Sequence, residues 1–567
     1  MGLLLALSYP KPGWSGFAWI APGLLLTVTI GLPRGRTFRT AYIAGLTHYL
    51  VSLGWLLYIP FPAGAVAGWL ALSAYCALYP AVWTLLVWHG MPAAFPTHPT
   101  RDEASRTTPN SLDSNNHFLH RCEAMPWISR TVVLLSVAAA WVLGEMILGR
   151  FLSGFPWNFL GISQYRNAPL IQISSFTGIY GLSFLVCWVS VSVALVAHRL
   201  YQALRSRCPL PAILHGQPSK FPWEWAADLR LPLFVLLAVT GWGLHCITVP
   251  SSADTRLITL ALIQPSIPQT LLWDTDGSTN RFEQIYALSE KALIGKPTVL
   301  IWPEGSLPSI GRDQFDRMLA LTASAGCYWI FGSDDLEILP EATNAYNSAF
   351  LFDPNGRFAR TYRKRQLVIF GETIPLEHWL PFMKWLTPVS GSLTAGKEPV
   401  PFQLGSNGPV ASPLICFEDN FPHYTREYAT PDVDFLLELT NDGWFGEGSA
   451  QWQHAASTAF RAVENGIPLV RVANNGLTGW IDAHGRFRDI LGRESGNVYG
   501  PGFLTIALPL PSRTQPRVTT FYTQYGDVFG WICVAWWCGL GIRIVLGRVV
   551  PRRRSLPTLP PQDSPVQ

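Results

Sequence analysis

Three residues of this 567-residue chain could do nucleophilic chemistry together: Cys416 in LICFED, Glu304 in IWPEGSLP and Lys364 in YRKRQLVIFGE. A thiol with a pKa near ~8.5 is only a few per cent thiolate at neutral pH, so it needs a neighbouring base or cation. Glu304 can accept the thiol proton and, later, the proton of an attacking amine. Lys364 supplies a fixed positive charge for the oxyanion of a tetrahedral intermediate, a role in which losing one donor typically costs about 100- to 1,000-fold. The Phe417 backbone N–H can be a second donor. Glu304 and Lys364 sit in apolar strings, unlike the residues of a surface ion pair. Cys416 is followed by Phe417, Glu418 and Asp419, an acidic exit unlike that of a core strand.

These residues have to be held by an α/β layered fold, because apolar strand-like runs alternate with helical stretches from about residue 256 to 510. Strands are expected at Leu257–Gln264, Thr298–Trp302, Tyr328–Ser333, Ala345–Phe352, Gly408–Ile415, Phe435–Leu439 and Leu469–Val472, and helices at Arg281–Leu293, Asp313–Ala325 and Ala450–Asn465. Glu304 and Cys416 then fall just past strand ends, where α/β sheets place their ligands. Three other patterns compete. His423 or His454 could partner Cys416 as in a cysteine protease, but neither has a clear orienting neighbour. GSLTAGKE from Gly391 approaches a phosphate-binding loop, with Glu398 where Ser or Thr is required. His117 and His120 have metal-compatible spacing without a third ligand, so no metal site is expected.

The surrounding sequence is apolar. With 13% aromatic and 14% charged residues the chain reads as an integral membrane protein carrying one large soluble insert. A bilayer core of roughly 30 Å needs about 20 apolar residues per helix. Candidate spans are Phe17–Gly31, Ala41–Tyr58, Val66–Trp88, Thr131–Leu148, Ile171–Ala197, Leu231–Val249 and Phe529–Leu546. Gly2–Ser8 is too short to span and reads as a truncated helix or an interfacial stub; no basic segment precedes it to suggest a signal peptide. The expected organisation is a bundle over 1–250 with a polar insertion at about 91–128, a catalytic domain over 256–510, a closing span over 525–548 and a basic cytoplasmic tail over 549–567. Arginines cluster at Arg34, Arg36 and Arg39, at Arg101 to Arg130, at Arg199 to Arg230 and in the tail. Placing these segments in the cytoplasm puts the soluble domain on the opposite side. The net charge of +4 is accounted for by these anchors and leaves no nucleic-acid footprint. Of nine cysteines, only Cys327 and Cys416 fall in the outer domain. The clearest intramembrane charges are Glu145 and Arg150, near a helix end.

The chain resembles the nitrilase-like carbon–nitrogen hydrolases and, within them, the bacterial apolipoprotein N-acyltransferases. The similarity runs through WVLGEMILGRFLSGFPWNFLGISQ, LIQPSIPQ, IWPEGSLP, YNSAF, YRKRQLVIFGETIPLE, LICFEDNFP, LTNDGWFG, RAVENGIPLVRVANNGLTGWID and TFYTQYGDVFGW. The resemblance implies an α-helical transmembrane bundle plus an extracytoplasmic α/β domain built as an αββα sandwich. It implies Glu304 as general base, Lys364 as oxyanion partner and Cys416 as nucleophile, with Glu372 and Glu418 in support. Departures are Ile369 where the family usually has proline, Phe417 for a frequent tyrosine, and Ser266 for a usual asparagine.

A soluble amide substrate would not require six or more membrane helices, so a lipid substrate is expected. PLEHWLPFMKWLTP exposes Trp379 and Trp385 with few charges, as a mobile arm on the bilayer would. Trp444 and Phe445 could line the same acyl entrance. The implied reaction carries a fatty acyl chain from a phospholipid, phosphatidylethanolamine in the family, through a Cys416 thioester. The acceptor is the amine of a diacylglyceryl-cysteine at an apolipoprotein amino terminus. The implied setting is the bacterial inner membrane with the catalytic domain in the periplasm, as a monomer and without cofactor. A membrane-tethered amidase or nitrilase, and a non-catalytic lipid-binding or transport scaffold, are the alternatives.

Overall fold

The computed structural model describes residues 1–91, 125–205, 227–249, 255–272, 278–306, 311–340, 343–375, 377, 379, 385, 387, 391–495, 497–512 and 517–549. His117, His120 and most of the expected polar insertion lie outside this set.

Five helices among the described residues are long and apolar enough to cross a membrane: Pro62–Gly90, Trp127–Leu148, Ile179–Tyr201, Ala227–Thr248 and Val528–Leu546. Three expected spans are corrected. Phe17–Gly31 is not one helix but a 3-10 turn, Ser15–Trp19, followed by Ala21–Val28, with Pro22 starting the second piece. Ala41–Tyr58 gives way to a helix over Arg34–Ser52 and a 3-10 turn, Gly54–Tyr58, so the basic trio Arg34, Arg36 and Arg39 begins a helix instead of lying in a loop. Ile171–Ala197 starts as two short turns, Ala168–Ile171 and Ser174–Thr177, and the long helix begins only at Ile179, after Gly178 takes a positive φ of 62°. Glu145 and Arg150 do not pair with each other. Glu145 accepts from the Leu160 backbone N–H at 2.7 Å and Trp141 Nε1 at 2.9 Å, whereas Arg150 pairs with Asp527 and fastens the start of the last helix to the bundle.

Two six-stranded sheets lie face to face. Their strands are β1 (Thr255–Gln264), β2 (Val299–Ile301), β3 (Tyr328–Ile338), β4 (Thr343–Phe352), β5 (Phe358–Arg363), β6 (Phe402–Gln403), β7 (Val410–Ile415), β8 (Phe435–Thr440), β9 (Leu469–Ala473), β10 (Gly479–Ile481), β11 (Phe487–Ile490) and β12 (Gly502–Pro511). The orders are β12-β1-β2-β3-β4-β5 and β11-β10-β9-β8-β7-β6. Within each sheet three neighbouring strands are parallel, β1-β2-β3 and β7-β8-β9. The central strands β2, β7, β8 and β9 are buried along their whole length, as parallel strands covered on both faces must be. One core, with Leu260, Leu262, Ile330 and Leu351 from the first sheet and Leu414, Leu437, Val470 and Ile481 from the second, fills the space between the sheets.

The outer layers differ. Ser278–Leu293 buries Phe282, Ile285, Ser289 and Ala292 on its sheet side, an i, i+3, i+7, i+10 stripe whose opposite face is exposed. Ala450–Asn465 is buried on nearly every residue. Its Ala459 and Ala462 pack on the second sheet, while Ala450, Ala456, Phe460 and Val463 join the core of the membrane bundle. Small alanines let this helix sit between two large bodies. The fold is a helical membrane bundle joined to an αββα sandwich.

Candidate active site

Cys416 ends β7 and opens a 3-10 turn, Cys416–Asn420, with its own φ at +52°. A non-glycine residue is held in that region only where surrounding contacts over-determine it. The contacts come largely from Glu418, which is fully buried. Its carboxylate accepts from the Ile415 N–H at 2.8 Å, the Arg365 N–H at 2.7 Å, the Gln366 N–H at 3.1 Å and the Tyr362 hydroxyl at 2.7 Å. Glu418 therefore ties the cysteine turn to the segment just after Lys364 and does not face the reacting atoms.

Lys364 follows β5 and is 1% exposed. Its Nζ donates to Glu304 Oε1 at 3.2 Å and Glu372 Oε1 at 2.9 Å. Asn347 on β4 spans the same two carboxylates, donating from Nδ2 at 2.7 Å and 2.8 Å, and its carbonyl accepts the Lys364 N–H at 2.8 Å. Burial alone would lower the Lys364 pKa; the Glu304 and Glu372 carboxylates outweigh it and hold the amine well above its ordinary value. Burial pushes the Cys416 thiol well up, with Glu304 and Asp442 adding to the rise and Lys364 opposing it. Burial thus favours the thiol form of Cys416, beside a carboxylate and an ammonium. Cys416 is free and partly open at its surface.

Asn347 and two close approaches are the residues sequence reasoning passed over. A Cβ on Gly332 of β3 would stand 2.7 Å from Glu304 Cα, so only glycine lets the Glu304 turn rest on that strand. A Cβ on Gly396 would stand 2.1 Å from the Arg363 carbonyl, and the Gly396 N–H donates to the Lys364 carbonyl at 2.7 Å. GSLTAGKE is therefore a brace for Lys364 and not a phosphate-binding loop. YNSAF carried the only signal for Asn347, a polar residue inside an apolar strand.

Neither histidine of the protease-like alternative is hydrogen-bonded to Cys416 among the described residues: the His423 ring packs on Phe421 and Tyr424, with centroids 5.9 Å and 4.9 Å away. His454 donates to Asp442 Oδ1 at 3.0 Å and Asp419 Oδ1 at 2.8 Å, behind the cysteine turn. Burial would lower its pKa, and Arg471 adds to that, but Asp419, Asp442 and Glu438 raise it to about 10. Arg471 binds Glu438 and, at 2.7 Å, Asp442 Oδ2. Asp419, Glu438 and His454 present ligand atoms close enough for a metal, but the Arg471 guanidinium occupies that space and pairs with their oxygens.

An aromatic wall joins the site to the bundle. Phe417 lies against Phe155 and Trp157, with centroids 6.2 Å and 6.3 Å apart, and Phe445 meets Trp55 at 4.6 Å. Gln453, next to His454, accepts from Trp157 Nε1 at 2.8 Å and Trp55 Nε1 at 3.2 Å and donates to the Pro10 carbonyl at 2.8 Å. Trp379 and Trp385 are 82% and 81% exposed, and Trp444 is half-buried beside Phe445. The site thus unites Glu304, Lys364, Glu372 and Cys416, sets Phe417 and Phe445 along its bundle side, and leaves Trp379 and Trp385 projecting outward.

Residues 1–192 match the family described as apolipoprotein N-acyltransferase N-terminal domain, and residues 259–499 match the carbon-nitrogen hydrolase family. The chain is 33% identical over 545 residues to the apolipoprotein N-acyltransferase of Geobacter metallireducens, covering 94% of this chain and 92% of that one. It is 30% identical to the Bradyrhizobium diazoefficiens protein of the same name, over 75% of each chain. Among solved structures, an amidase from Nesterenkonia sp. is 20% identical with a TM-score of 0.35, covering 51% of this chain and 98% of that one.

Proposed function

The chain belongs to the apolipoprotein N-acyltransferase family, and we propose that it carries a fatty acyl chain from a phospholipid to the amino-terminal amine of a diacylglyceryl-cysteine lipoprotein, through a thioester on Cys416. The arrangement of Lys364 between Glu304 and Glu372, next to a free thiol at the bundle junction, is the observation that carries this reading.

In the first half-reaction the Cys416 sulfur attacks the ester carbonyl carbon while its proton passes to Glu304. The carbonyl oxygen gains negative charge, which the Lys364 ammonium and the Phe417 N–H stabilise. The C–O bond then breaks, the lysophospholipid oxygen takes the proton from Glu304, and a thioester remains. In the second half-reaction the lipoprotein amine attacks the thioester and gives a proton to Glu304. The C–S bond breaks, an amide forms, and the sulfur recovers the proton. Glu372 and Asn347 hold Lys364 and Glu304 in register throughout. No cofactor enters this scheme.

The catalytic domain faces the periplasm of an inner-membrane protein in this reading. Trp379 and Trp385 rest on the bilayer, and Phe445 with Trp444 lines the acyl path. Incubation with phosphatidylethanolamine alone should add one acyl mass to the Cys416 peptide, and a diacylated lipopeptide should remove it. An unmodified Cys416 in protein that still transfers acyl chains would refute the thioester. Release of free fatty acid without lipopeptide acylation would identify a hydrolase instead.

A further inference from the structure

A second polar cavity, of about 470 Å³, lies at the edge of the second sheet, between the β11 hairpin and the bundle. Tyr165, Arg166, Trp452, Arg486, Phe487 and Arg493 are among its lining residues. The size is that of an ordinary small-ligand pocket, about 300–1,000 Å³. Four inter-strand spacings separate β11 from β7, which Cys416 follows; at about 4.8 Å per spacing that is about 19 Å.

The walls divide by chemistry. Aromatic rings form one side: Phe487 meets Tyr165 edge-on at 6.0 Å and Trp452 at 6.3 Å. Guanidinium groups form the other. Arg486 and its neighbour Arg488 share Asp482, at 2.8 Å and 2.6 Å. Arg166 lies 5.3 Å from the Tyr165 ring, and Arg493 donates to the Arg488 carbonyl at 2.6 Å. Among the described residues neither Arg166 nor Arg493 has a carboxylate within ion-pair distance. The Tyr165 hydroxyl is buried, with the Arg166 guanidinium as its polar neighbour and, among the described residues, no carbonyl or carboxylate bonded to it. Two exposed guanidinium groups without a carboxylate partner and a buried O–H without an acceptor together fit an anion with several acceptor oxygens.

The cavity also touches the lipid-facing side. Its Ala168 opens the short helix Ala168–Ile171, which packs on the candidate span Ala227–Thr248 so closely that a Cβ on Gly243 would lie 1.8 Å from the Pro169 carbonyl. Leu237 and Leu244 of that span are 71% and 47% exposed. A cationic rim over an aromatic wall, beside an apolar helix whose Leu237 and Leu244 are exposed among the described residues, suits an amphiphile better than a free ion.

We propose that this cavity binds the phosphate of a phospholipid headgroup, holding a lipid that is not the acyl donor at Cys416. Arg166 and Arg493 take the phosphate oxygens, Tyr165 donates its hydroxyl, and Trp452 and Phe487 cover the glycerol region.

The test uses the full-length Cys416→Ala protein, in which acyl transfer cannot consume lipid, purified in detergent and titrated with phosphatidylglycerol by native mass spectrometry. The Arg166→Ala/Arg493→Ala pair should weaken retention of one lipid by about tenfold or more. Arg166→Lys/Arg493→Lys, which keeps the charge, should recover part of it. Unchanged retention in the alanine pair overturns the proposal. Displacement of the lipid by millimolar inorganic phosphate assigns the cavity to a free anion and overturns the lipid assignment. In the Cys416-containing protein, the alanine pair should leave acylation of Cys416 by phosphatidylethanolamine within about twofold; a fall of tenfold or more would place the cavity on the donor path and overturn its independence.

Discussion

Two buried clusters of opposite charges lie on either side of the cysteine turn, and they are built from the same chemistry to different ends. Around Lys364 the amine is 1% exposed, but the side chains of its partners Glu304 and Glu372 are 10% and 13% exposed. Carboxylates outnumber the cation there, and Asp334, lifted by burial and by those same carboxylates, adds to the excess. Around Arg471 the side chains of Asp419, Glu438 and Asp442 are fully buried and that of His454 is 3% exposed. Burial pushes Glu438 well above the ordinary carboxylate range, against the pull of Arg471 and His454. Burial also opposes charge on Asp442 and Asp419, but the Arg471 and His454 cations hold Asp442 low and Asp419 at about 2. Arg471 and His454 then face two carboxylates held low and a third whose charge burial opposes, and every one of these groups is paired inside the cluster. Excess charge with an opening makes a reactive site; balanced charge without one makes a clamp, here on the turn Cys416–Asn420 and the loop that carries Phe445.

The sharpest way to break this contrast is Glu304→Gln. Acyl transfer should fall about 100- to 10,000-fold, the range for a general base. Alkylation of Cys416 should move the other way, reaching half-maximal rate at lower pH, because the carboxylate that raises the thiol pKa is gone. A parallel fall in both rates would mean that Glu304 only supports the fold. Arg471→Met attacks the clamp instead. Leaving buried carboxylates without their cation should cost about 3–5 kcal/mol, read as loss of folded protein in detergent melts; a normal melt with slow transfer would move Arg471 into the reactive class.

A smaller effect should appear in the pH dependence of stability. His454 is raised from 6.5 to about 10, so its contribution is complete below about pH 6.5 and is lost as pH climbs through 10. The melting midpoint of the wild type should therefore drop by several degrees, roughly, between pH 7 and pH 10, and His454→Gln should flatten that slope. Equal slopes would mean that the histidine is neutral in the folded state. The smallest change is expected for Glu438→Gln. Burial already pushes Glu438 toward its protonated form, so the amide should shift stability by about 1 kcal/mol or less, and a loss as large as that of Arg471→Met would show that its charge is needed to hold Arg471.

Much of the candidate site was legible because its residues stand in distinctive strings. Glu304 and Cys416 were expected just past strand ends, Lys364 was read from its apolar string alone, and Glu372 and Glu418 followed from the family resemblance. The core strands β1, β2, β3, β4, β7, β8 and β9 were expected within a few residues of where they lie. β5, β10 and β11 were missed because FARTYR, GWI and FRDI are short or polar, and their strand character comes from pairing with neighbours. β12 was missed although GFLTIALPLP alternates in burial; its two prolines argue against a strand except at an edge, which is where it lies. The corrected spans failed for a related reason. Mean apolarity over Phe17–Gly31 does not register Pro22 or the backbone breaks that divide the segment.

The sequence alone determined that a thiol and a carboxylate follow apolar strands, with an amine in a third apolar string, in a layered domain flanked by membrane-length helices, because side-chain type and short-range periodicity are local properties. Tertiary structure decided which charges face each other. Lys364 chose Glu304 and Glu372, bridged by Asn347, and His454 chose Asp419 and Asp442 over Cys416. Those choices depend on sheet register and on a helix wedged between sheet and bundle, which bring together groups far apart in the chain and set how much water each retains.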